Sequence, residues 1–308
     1  MLLTPYSSDH KVAWDRFVAE SRNGTFLFMR DYMDYHTDRF EDASLMLWED
    51  NSVVALLPAS RHGVEWRSHG GLTYGSFIMG RDFRAQLSLL AMETTLAYLK
   101  DQGINRAVFK PVPHIYHRMP AEEELYALFR CGASLFRRDI SSSLCLANRY
   151  TYSKGRKSSL SKARREGVEV GSSQDWETFM AIEEALLLEK HGTRPAHSAS
   201  EIRMLAERFP ANIRLIAATR GNRMLAGIIT YTTDTVCHAQ YIASTPEGRD
   251  CGAVDAAVDL AIQQTTVPWF DFGISTTDQG RVLDSSLAAN KEGYGARATC
   301  YDHYLVEI

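Results

Sequence analysis

The stretch that decides the fold lies late in the chain, where a strand-like run leads into a helix of small residues. It reads Tyr241-Ile242-Ala243-Ser244-Thr245-Pro246-Glu247-Gly248-Arg249-Asp250-Cys251-Gly252-Ala253. A strand, a turn with Arg and Gly, and a helix N-terminus predict an anion cradle, because the first N–H groups and the dipole of a helix point at a ligand there. A diphosphate suits this turn, with Gly252 allowing close approach and Arg249 adding charge. The alternative is a plain helix with Asp250 as its N-cap.

The order of elements around this stretch occurs twice. In the second half, strands are predicted at 213–219, 224–232 and 236–243, before Gly248-Arg249-Asp250, a helix at 252–264 and a strand at 269–272. In the first half, strands at 44–48, 53–60, 64–68 and 72–78 precede Gly80-Arg81-Asp82, a helix at 83–102 and a strand at 106–110. Helices are also predicted before each set of strands, at 9–21, 176–190 and 198–209. The matching tripeptides favour duplication over chance similarity.

Composition limits the class of protein. A chain of 308 residues exceeds the usual single core, so two domains of roughly 150 residues are expected. The apolar share of 45% and charged share of 23% are those of a folded protein, and the net charge of −4 argues against a surface built throughout for nucleic acid. No leader or membrane span is predicted, which favours the cytoplasm. The five cysteines are widely spaced and predict reduced thiols, with no metal motif.

The turn at Arg249 resembles the diphosphate loop of the GNAT superfamily of N-acetyltransferases. In that loop Arg or Gln is followed by two residues, Gly, one residue, and Gly or Ala. Arg249 and Gly252 are in register, but Val254 stands at the last small position and Asp250 adds negative charge. The first-half copy, beginning at Arg81, lacks the Gly, so no cofactor is expected there.

The end of the chain resembles paired GNAT proteins of the FemAB and FemX type. These carry an aspartate-bearing strand and then a Lys with a Gly-aromatic-Gly end, as do 270–273 and 290–295; the basic segment 160–168 between the halves is also similar. The resemblance implies an α/β (α+β) fold of two tandem GNAT-like domains, each a mixed central sheet flanked by helices. The expected bounds are 1–150 for acceptor binding and 151–308 for acyl-CoA binding.

The resemblance implies an N-acyltransferase with acyl-CoA as co-substrate and no metal. The residues expected to hold the acyl-CoA are Ala243, Ser244, Gly248, Arg249, Asp250, Cys251, Gly252 and Ala253. A neutral amine attacks a thioester directly, so a base and oxyanion donors are needed, and Cys251 is not expected to form an acyl-enzyme.

Three residues are predicted to be catalytic: Asp271 as base, His69 as alternative base and Tyr294 as the acid for the leaving thiolate. His36 is a further candidate base. Each has a structural alternative, since Asp271 can cap the turn 275–277 and Tyr294 can simply pack.

The first half is expected to bind the acceptor, a nucleotide-linked 3- or 4-amino sugar (dTDP- or UDP-linked) destined for a surface polysaccharide such as lipopolysaccharide O-antigen. Such an acceptor needs cations for phosphates, aromatic rings for a base and polar groups for a sugar. The substrate-binding candidates are Arg30, Tyr32, His36, Arg39, Tyr74, Lys110, His114, His117 and Lys291. Tyr32 and other aromatic members of this set can equally be ordinary core residues.

Two other functions stay open. FemAB-type proteins transfer amino acids from tRNA to peptidoglycan precursors, and the basic run from Lys154 to Arg165 is the best argument for tRNA here. A solvated helix explains that run equally well, and the chain lacks the long helical arm of several tRNA users, so nucleic acid is not the expected partner. The third function is a binding module that has kept the fold and lost the chemistry.

Overall fold

The computed structural model describes the backbone of residues 1–308 and every side chain except those of His36 and His191. Its α-helices are α1 Lys11–Glu20, α2 Arg30–Met33, α3 Ala85–Asp101, α4 Glu123–Arg130, α5 Lys154–Arg165, α6 Trp176–His191, α7 Ala199–Arg208, α8 Pro246–Cys251, α9 Ala253–Gln264 and α10 Ser285–Glu292. Its strands are β1 Leu2–Pro5, β2 Glu41–Asp42, β3 Leu45–Glu49, β4 Ser52–Leu57, β5 Ser60–His62, β6 Glu65–Arg67, β7 Ile78–Met79, β8 Arg106–Phe109, β9 Ser134–Cys145, β10 Glu169–Ser173, β11 Ile213–Arg220, β12 Arg223–Thr232, β13 Val236–Ser244, β14 Trp269–Ile274, β15 Thr276–Thr277, β16 Val282–Leu283 and β17 Arg297–Glu307.

The chain forms two compact units. Unit 1 comprises residues 1–140, 276–282 and 299–308, and unit 2 comprises residues 141–275 and 283–298. Unit 1 therefore includes two segments that follow most of unit 2 in sequence, whereas the sequence predicts a simple division at residue 150.

Unit 1 is a mixed α/β unit. One sheet has the order β1-β3-β4-β7, and a further set of strands runs β17-β8-β6-β5-β2. Most neighbours are antiparallel, but β6 and β8 are parallel, with Trp66 opposite Ala107. The core includes Trp66, Phe77, Phe83 and Phe109, each at most 2% exposed.

Unit 2 contains strands in the order β10-β11-β12-β13-β14-β9, antiparallel except for the parallel pair β13 and β14. The small residues of α9 let that helix pack closely on one face, where Ala257, Val258, Ala261 and Ile262 are buried. On the opposite face α6 packs against β12 and β13. A Cβ at Gly227 of β12 would lie 2.8 Å from the Phe179 ring of α6, so the glycine permits this close approach.

The structure confirms most predicted elements to within a few residues. These include the hairpins and the predicted helices that correspond to α1, α3, α6, α7 and α9. The prediction of a strand at 72–78 is wrong, because only Ile78 and Met79 pair as β7. The segment before β7 bends instead: Ser76 has φ of 76°, and Gly75 forms an isolated bridge with Pro111 and donates its N–H to Lys110 O at 2.7 Å.

Candidate active site

The central feature of unit 2 is the divergence of β13 and β14. The two strands pair only from Val236 opposite Trp269 to His238 opposite Asp271, although β13 continues to Ser244. The register between β12 and β13 also shifts between Ile229 and Thr230, where Gln240 is skipped, so β13 has a bulge two residues after His238. Separated strands expose N–H and C=O groups between them, which makes an opening suited to a carbonyl group.

A histidine and an aspartate lie at the base of this opening. His238 Nδ1 is 2.9 Å from Asp271 Oδ2. The Asp271 side chain is fully buried, and its Oδ1 accepts hydrogen bonds from Ser141 Oγ at 2.5 Å and Ser143 Oγ at 2.8 Å. A carboxylate only accepts, so it fixes the proton of the neutral His238 ring on Nδ1 and makes Nε2 the acceptor. The His238 side chain keeps 18% of its surface exposed.

Gly273 and Lys291 complete the surroundings of this pair. Gly273 has φ of 78°, and a Cβ there would lie 3.4 Å from His238 Cε1. Lys291 Nζ donates to the carbonyl oxygens of Gly273 at 2.9 Å and Ile274 at 2.7 Å. Burial lowers the pKa of Lys291 to about 8, against the opposing charges of Asp271 and Asp284. The predicted substrate ligand Lys291 therefore binds the end of β14.

The predicted diphosphate turn contains a short helix. Thr245 caps α8 by accepting from Gly248 N–H at 3.0 Å, and α8 ends at Gly252, whose φ is 79°. A Cβ at Gly252 would lie 2.5 Å from Ser159 O of α5, and one at Gly248 would lie 2.2 Å from Leu225 O. Both glycines thus permit close contact within the protein, and the space that Gly252 leaves is taken by α5. The alternative of Asp250 as N-cap is wrong, because the caps are Thr245 for α8 and Gly252 for α9.

A buried carboxylate occupies the first turn of α9. Asp255 Oδ1 accepts from Tyr294 OH at 2.7 Å and from Arg156, and its Oδ2 accepts from Ser159 Oγ at 2.5 Å. Tyr294 is 3% exposed and stacks on Phe272 at 5.2 Å. Burial and the Asp255 charge raise the pKa of Tyr294 well above its usual value. The packing alternative therefore describes Tyr294, and a catalytic acid there would lack access.

The other residues of the predicted acyl-CoA set divide by exposure. Ala243, Ser244, Cys251 and Ala253 are buried, with Ala243 opposite Gly227 in the sheet. Cys251 Sγ contacts Gly248 O at 3.7 Å, as a packed thiol does. Arg249 and Asp250 are exposed, and Arg249 Nη1 donates to Ser244 O at 3.1 Å. Arg249 is thus the cation that this turn presents to solvent.

Several predicted acceptor residues are engaged inside unit 1. Arg30 is 3% exposed, binds Asp34 and Asp42, and lies 3.8 Å from the centre of the Tyr6 ring. Tyr32 is 4% exposed and packs edge-on against Phe26 and Tyr35. Arg30 and Tyr32 are thus buried inside unit 1, and Arg30 Nε and Nη1 have no hydrogen-bond partner among the described residues. Their role in substrate binding stays a prediction.

The glycine-rich loop of unit 1 is also held internally. Lys110 Nζ donates to His69 O at 2.7 Å and Leu72 O at 2.5 Å, and burial lowers its pKa to about 7. His69 is 4% exposed with φ of 42°, and its Nδ1 accepts from Gly71 N–H at 3.2 Å. Tyr74 is 3% exposed, with its ring centre 4.5 Å from that of Tyr116. Lys110 therefore stabilises the loop that carries His69.

The remaining residues predicted to bind the acceptor differ in exposure and in their contacts. His114 is exposed and Arg39 lies 3.9 Å from Asp38 at the surface, whereas His117 Nε2 hydrogen-bonds Val112 O at 2.8 Å. The side chain of His36 lies outside the described residues.

His238 is not among the residues that the sequence predicts for the site. Its partner is 33 positions away in sequence, and only the parallel register of β13 and β14 brings the two together. The available signal was a polar residue within an otherwise apolar run, Val236-Cys237-His238-Ala239, beside the Asp271 strand.

Among the described side chains, no three or more His, Cys, Asp or Glu lie together in a group that could hold a metal ion. Of the helices formed by described residues, none combines the length and apolar character that a bilayer crossing requires. All five cysteines are free.

Comparison with known proteins identifies a domain in the second half of the chain. Residues 148–279 match the family model described as an acetyltransferase (GNAT) domain. No protein of curated function matches the sequence significantly.

Three solved structures illustrate the similarity of fold. FemX aligns with 100% of this chain and 98% of its own, at a TM-score of 0.70 and 11% identity. L-PGS from Bacillus licheniformis aligns over 97% of this chain and 91% of its own, at a TM-score of 0.61 and 11% identity. A tandem GNAT protein from the clavulanic acid biosynthesis pathway aligns over 99% of this chain and 98% of its own, at a TM-score of 0.53 and 11% identity. The chain is thus an acyltransferase that carries a GNAT domain over residues 148–279, within a fold shared with FemX and tandem GNAT proteins.

Proposed function

We propose that this protein acylates an amine at the opening between β13 and β14, with His238 as the base. The observation that carries the proposal is the hydrogen-bonded pair of His238 and Asp271 at the last paired position of two diverging strands. The imidazole is partly exposed, and with its proton fixed on Nδ1 it would accept a proton through Nε2.

The chemistry requires positioning, proton removal and stabilisation of an oxyanion. His238 Nε2 accepts the proton that the attacking nitrogen loses, and buried Asp271 stabilises the resulting imidazolium. The C–S bond breaks as the amide forms, and the proton passes from His238 to the departing thiolate, which leaves as the free thiol. Ser141 and Ser143 hold the carboxylate in place. Backbone N–H groups of β13 beyond His238 are the candidate oxyanion donors. No cysteine is needed, so a Cys251→Ala variant is expected to stay active.

The proposed donor is an acyl-CoA, whose thioester supplies the activated carbonyl. The GNAT family match and the exposed guanidinium of Arg249 support this donor. Gly252 does not fit the expected cradle, because α5 fills its space, so exposed Arg249 would carry most of the binding. CoA should raise the melting temperature of the protein, and Arg249→Glu should remove that increase. An unchanged shift in the variant would exclude this site.

Aminoacyl-tRNA is a second candidate donor, supported by α5. Its outward residues Lys154, Lys157, Lys162, Arg164 and Arg165 are all exposed, while only Ala163 is buried. Such a surface suits a polyanion. Binding of tRNA that weakens steeply with salt, and is lost when Lys162, Arg164 and Arg165 become Glu, would favour this donor over acyl-CoA.

The proposed acceptor is an amine, and a nucleotide-linked amino sugar is one amine that could fill this role. Exposed His114 and Arg39 are its best remaining ligands in unit 1, whereas the engagement of Arg30, Tyr32 and Lys110 weakens it. Incubating the protein with panels of amines and acyl-CoAs, with release of free thiol as readout, tests both substrates. Turnover that His238→Ala abolishes would support the proposed function, and turnover that survives this change would refute the assigned base.

A further inference from the structure

A carboxylate lies where the packing of α6 calls for an apolar side chain. Trp176, Phe179, Met180 and Glu183 follow the i, i+3, i+4, i+7 spacing of one helix face, and all are at most 6% exposed. This face packs against β12 and β13. A charged residue at a core position breaks the pattern of the helix, and such exceptions concentrate at functional sites.

One oxygen of the Glu183 carboxyl group is left unsatisfied by the described residues. Its Oε2 is buried, and among the described residues it has no hydrogen-bond partner. Burial raises the pKa of Glu183 to about 7, opposed only by the charge of Lys190 on the same helix. A buried polar atom without a partner costs roughly 1–3 kcal/mol, so the protein gains nothing from this carboxyl as a packing group.

One polar group within electrostatic range of Glu183 belongs to β13, the strand that borders the opening in unit 2. Tyr241 of β13 lies within electrostatic range of Glu183 and Glu201, and burial raises the pKa of its phenol to about 12. Tyr241 OH is 2.6 Å from His197 Nδ1. Both Glu183 and Tyr241 thus lie at the diverging part of β13.

The same side of the sheet carries His238. Cys237, Ala239 and Ile242 of β13 pack with α9, so the alternation of the strand and its bulge at Gln240 direct His238 and Tyr241 to the opposite face, which α6 covers. Glu183 therefore lies along the face on which the proposed base acts.

We propose that Glu183 binds a primary ammonium group of a substrate, beside the phenol of Tyr241. A buried carboxylate that lacks a cation gains most from a ligand that supplies one, together with N–H donors for Oε2. The biological meaning of this inference rests on the proposed acyl transfer. Its test does not, because the test measures binding at Glu183 and not turnover. The ammonium group belongs either to an aminoacyl donor or to an amine-bearing sugar acceptor.

The experiment follows the Glu183 carboxyl directly. The full chain is labelled with 13C at glutamate side-chain carboxyls, and the Glu183 signal is the one missing from Glu183→Gln. Its pH titration is recorded with alanine methyl ester or glucosamine, and with the neutral counterparts methyl lactate and glucose. A bound ammonium should lower the titration midpoint by about one pH unit or more, because an opposite charge favours the ionised carboxyl.

The four probes distinguish the two possible origins of the ammonium group and identify the results that would overturn the inference. A shift with alanine methyl ester alone assigns the site to an aminoacyl donor, and a shift with glucosamine alone assigns it to an amino-sugar acceptor. Glu184→Gln is the matched control, since Glu184 is partly exposed and lies 3.2 Å from Arg194; it should leave the shift intact. If Glu183→Gln does not fold, Glu183→Asp identifies the signal. No shift with either amine, or equal shifts with the neutral probes, overturns the inference even if the protein proves to be an acyltransferase.

Discussion

His238 Nδ1 lies 2.9 Å from Asp271 Oδ2, at the last pair of residues that joins β13 to β14. Sheet register therefore places a buried carboxylate behind an imidazole where the strands begin to separate. The arrangement orients Nδ1 of the ring towards Asp271, so Nε2 is the nitrogen that the proposed proton transfer would use.

Replacing His238 by Ala should lower acyl transfer about 10²- to 10⁴-fold, the usual contribution of a general base. Asp271→Asn should also lower it, because the amide can still accept from the serines through its oxygen but presents an NH₂ group to Nδ1 and so favours the other tautomer. Turnover of the substrate pair found by the thiol-release screen measures both. The double variant should be little worse than His238→Ala, since the two residues act as one unit.

The tautomer itself provides a test that needs no substrate. The 15N shifts of the neutral His238 ring should show protonated Nδ1 in the wild type and protonated Nε2 in Asp271→Asn. Protonated Nε2 in the wild-type protein would contradict the assigned role of Asp271.

Tyr294→Phe should retain acyl transfer while lowering the free energy of unfolding by about 1.5–3 kcal/mol, the range for a buried hydrogen bond to a charged group. The phenol donates to Asp255 inside the core and has no access to a leaving group. Denaturant unfolding and steady-state turnover measure the two effects. A stable variant with turnover reduced tenfold or more would restore Tyr294 as a catalytic acid.

The sequence predicts the elements of both units because apolar periodicity and turn residues are local signals. It does not predict that α5 fills the space at Gly252, since a glycine left small for a ligand and one left small for a helix look alike in sequence. Arg30 illustrates the same limit: its two aspartates and its aromatic neighbours form a buried network whose composition also suits a nucleotide site.

Gly252→Ala should destabilise unit 2 by about 2–5 kcal/mol. The left-handed conformation costs an L-residue roughly 1–2 kcal/mol, and the added Cβ would lie 2.5 Å from Ser159 O, which adds an overpacking cost of about 1–3 kcal/mol. Gly171→Ala is the matched control, because a Cβ there would meet no described heavy atom within 4 Å. Denaturant midpoints compare the two, and equal stabilities would mean that α5 does not pack on Gly252.

Lys291→Met should alter the pH dependence of stability above pH 8. The folded-state pKa of about 8 lies below the ordinary value of 10.5, so between these values the unfolded chain holds a proton that the folded chain has lost. Wild-type stability relative to the variant should therefore rise from about pH 8 to 10.5. Urea unfolding at several pH values measures the difference, and a flat difference would place Lys291 in water rather than on Gly273 and Ile274.

Glu183→Gln should stabilise the free protein increasingly as pH rises from about 4.5 to 7. Across this range the unfolded carboxyl ionises while the folded one, with a pKa of about 7, keeps its proton, so wild-type stability falls with pH and the neutral, similarly shaped glutamine does not. At 1.36 kcal/mol per pH unit the relative gain reaches up to ~3 kcal/mol above pH 7. Other carboxyls titrate equally in both proteins and cancel in the difference, as Glu184→Gln should show by remaining parallel to the wild type. A Glu183→Gln curve parallel to the wild type would mean that the carboxyl is already compensated in the free protein, and no ammonium ligand would then be required.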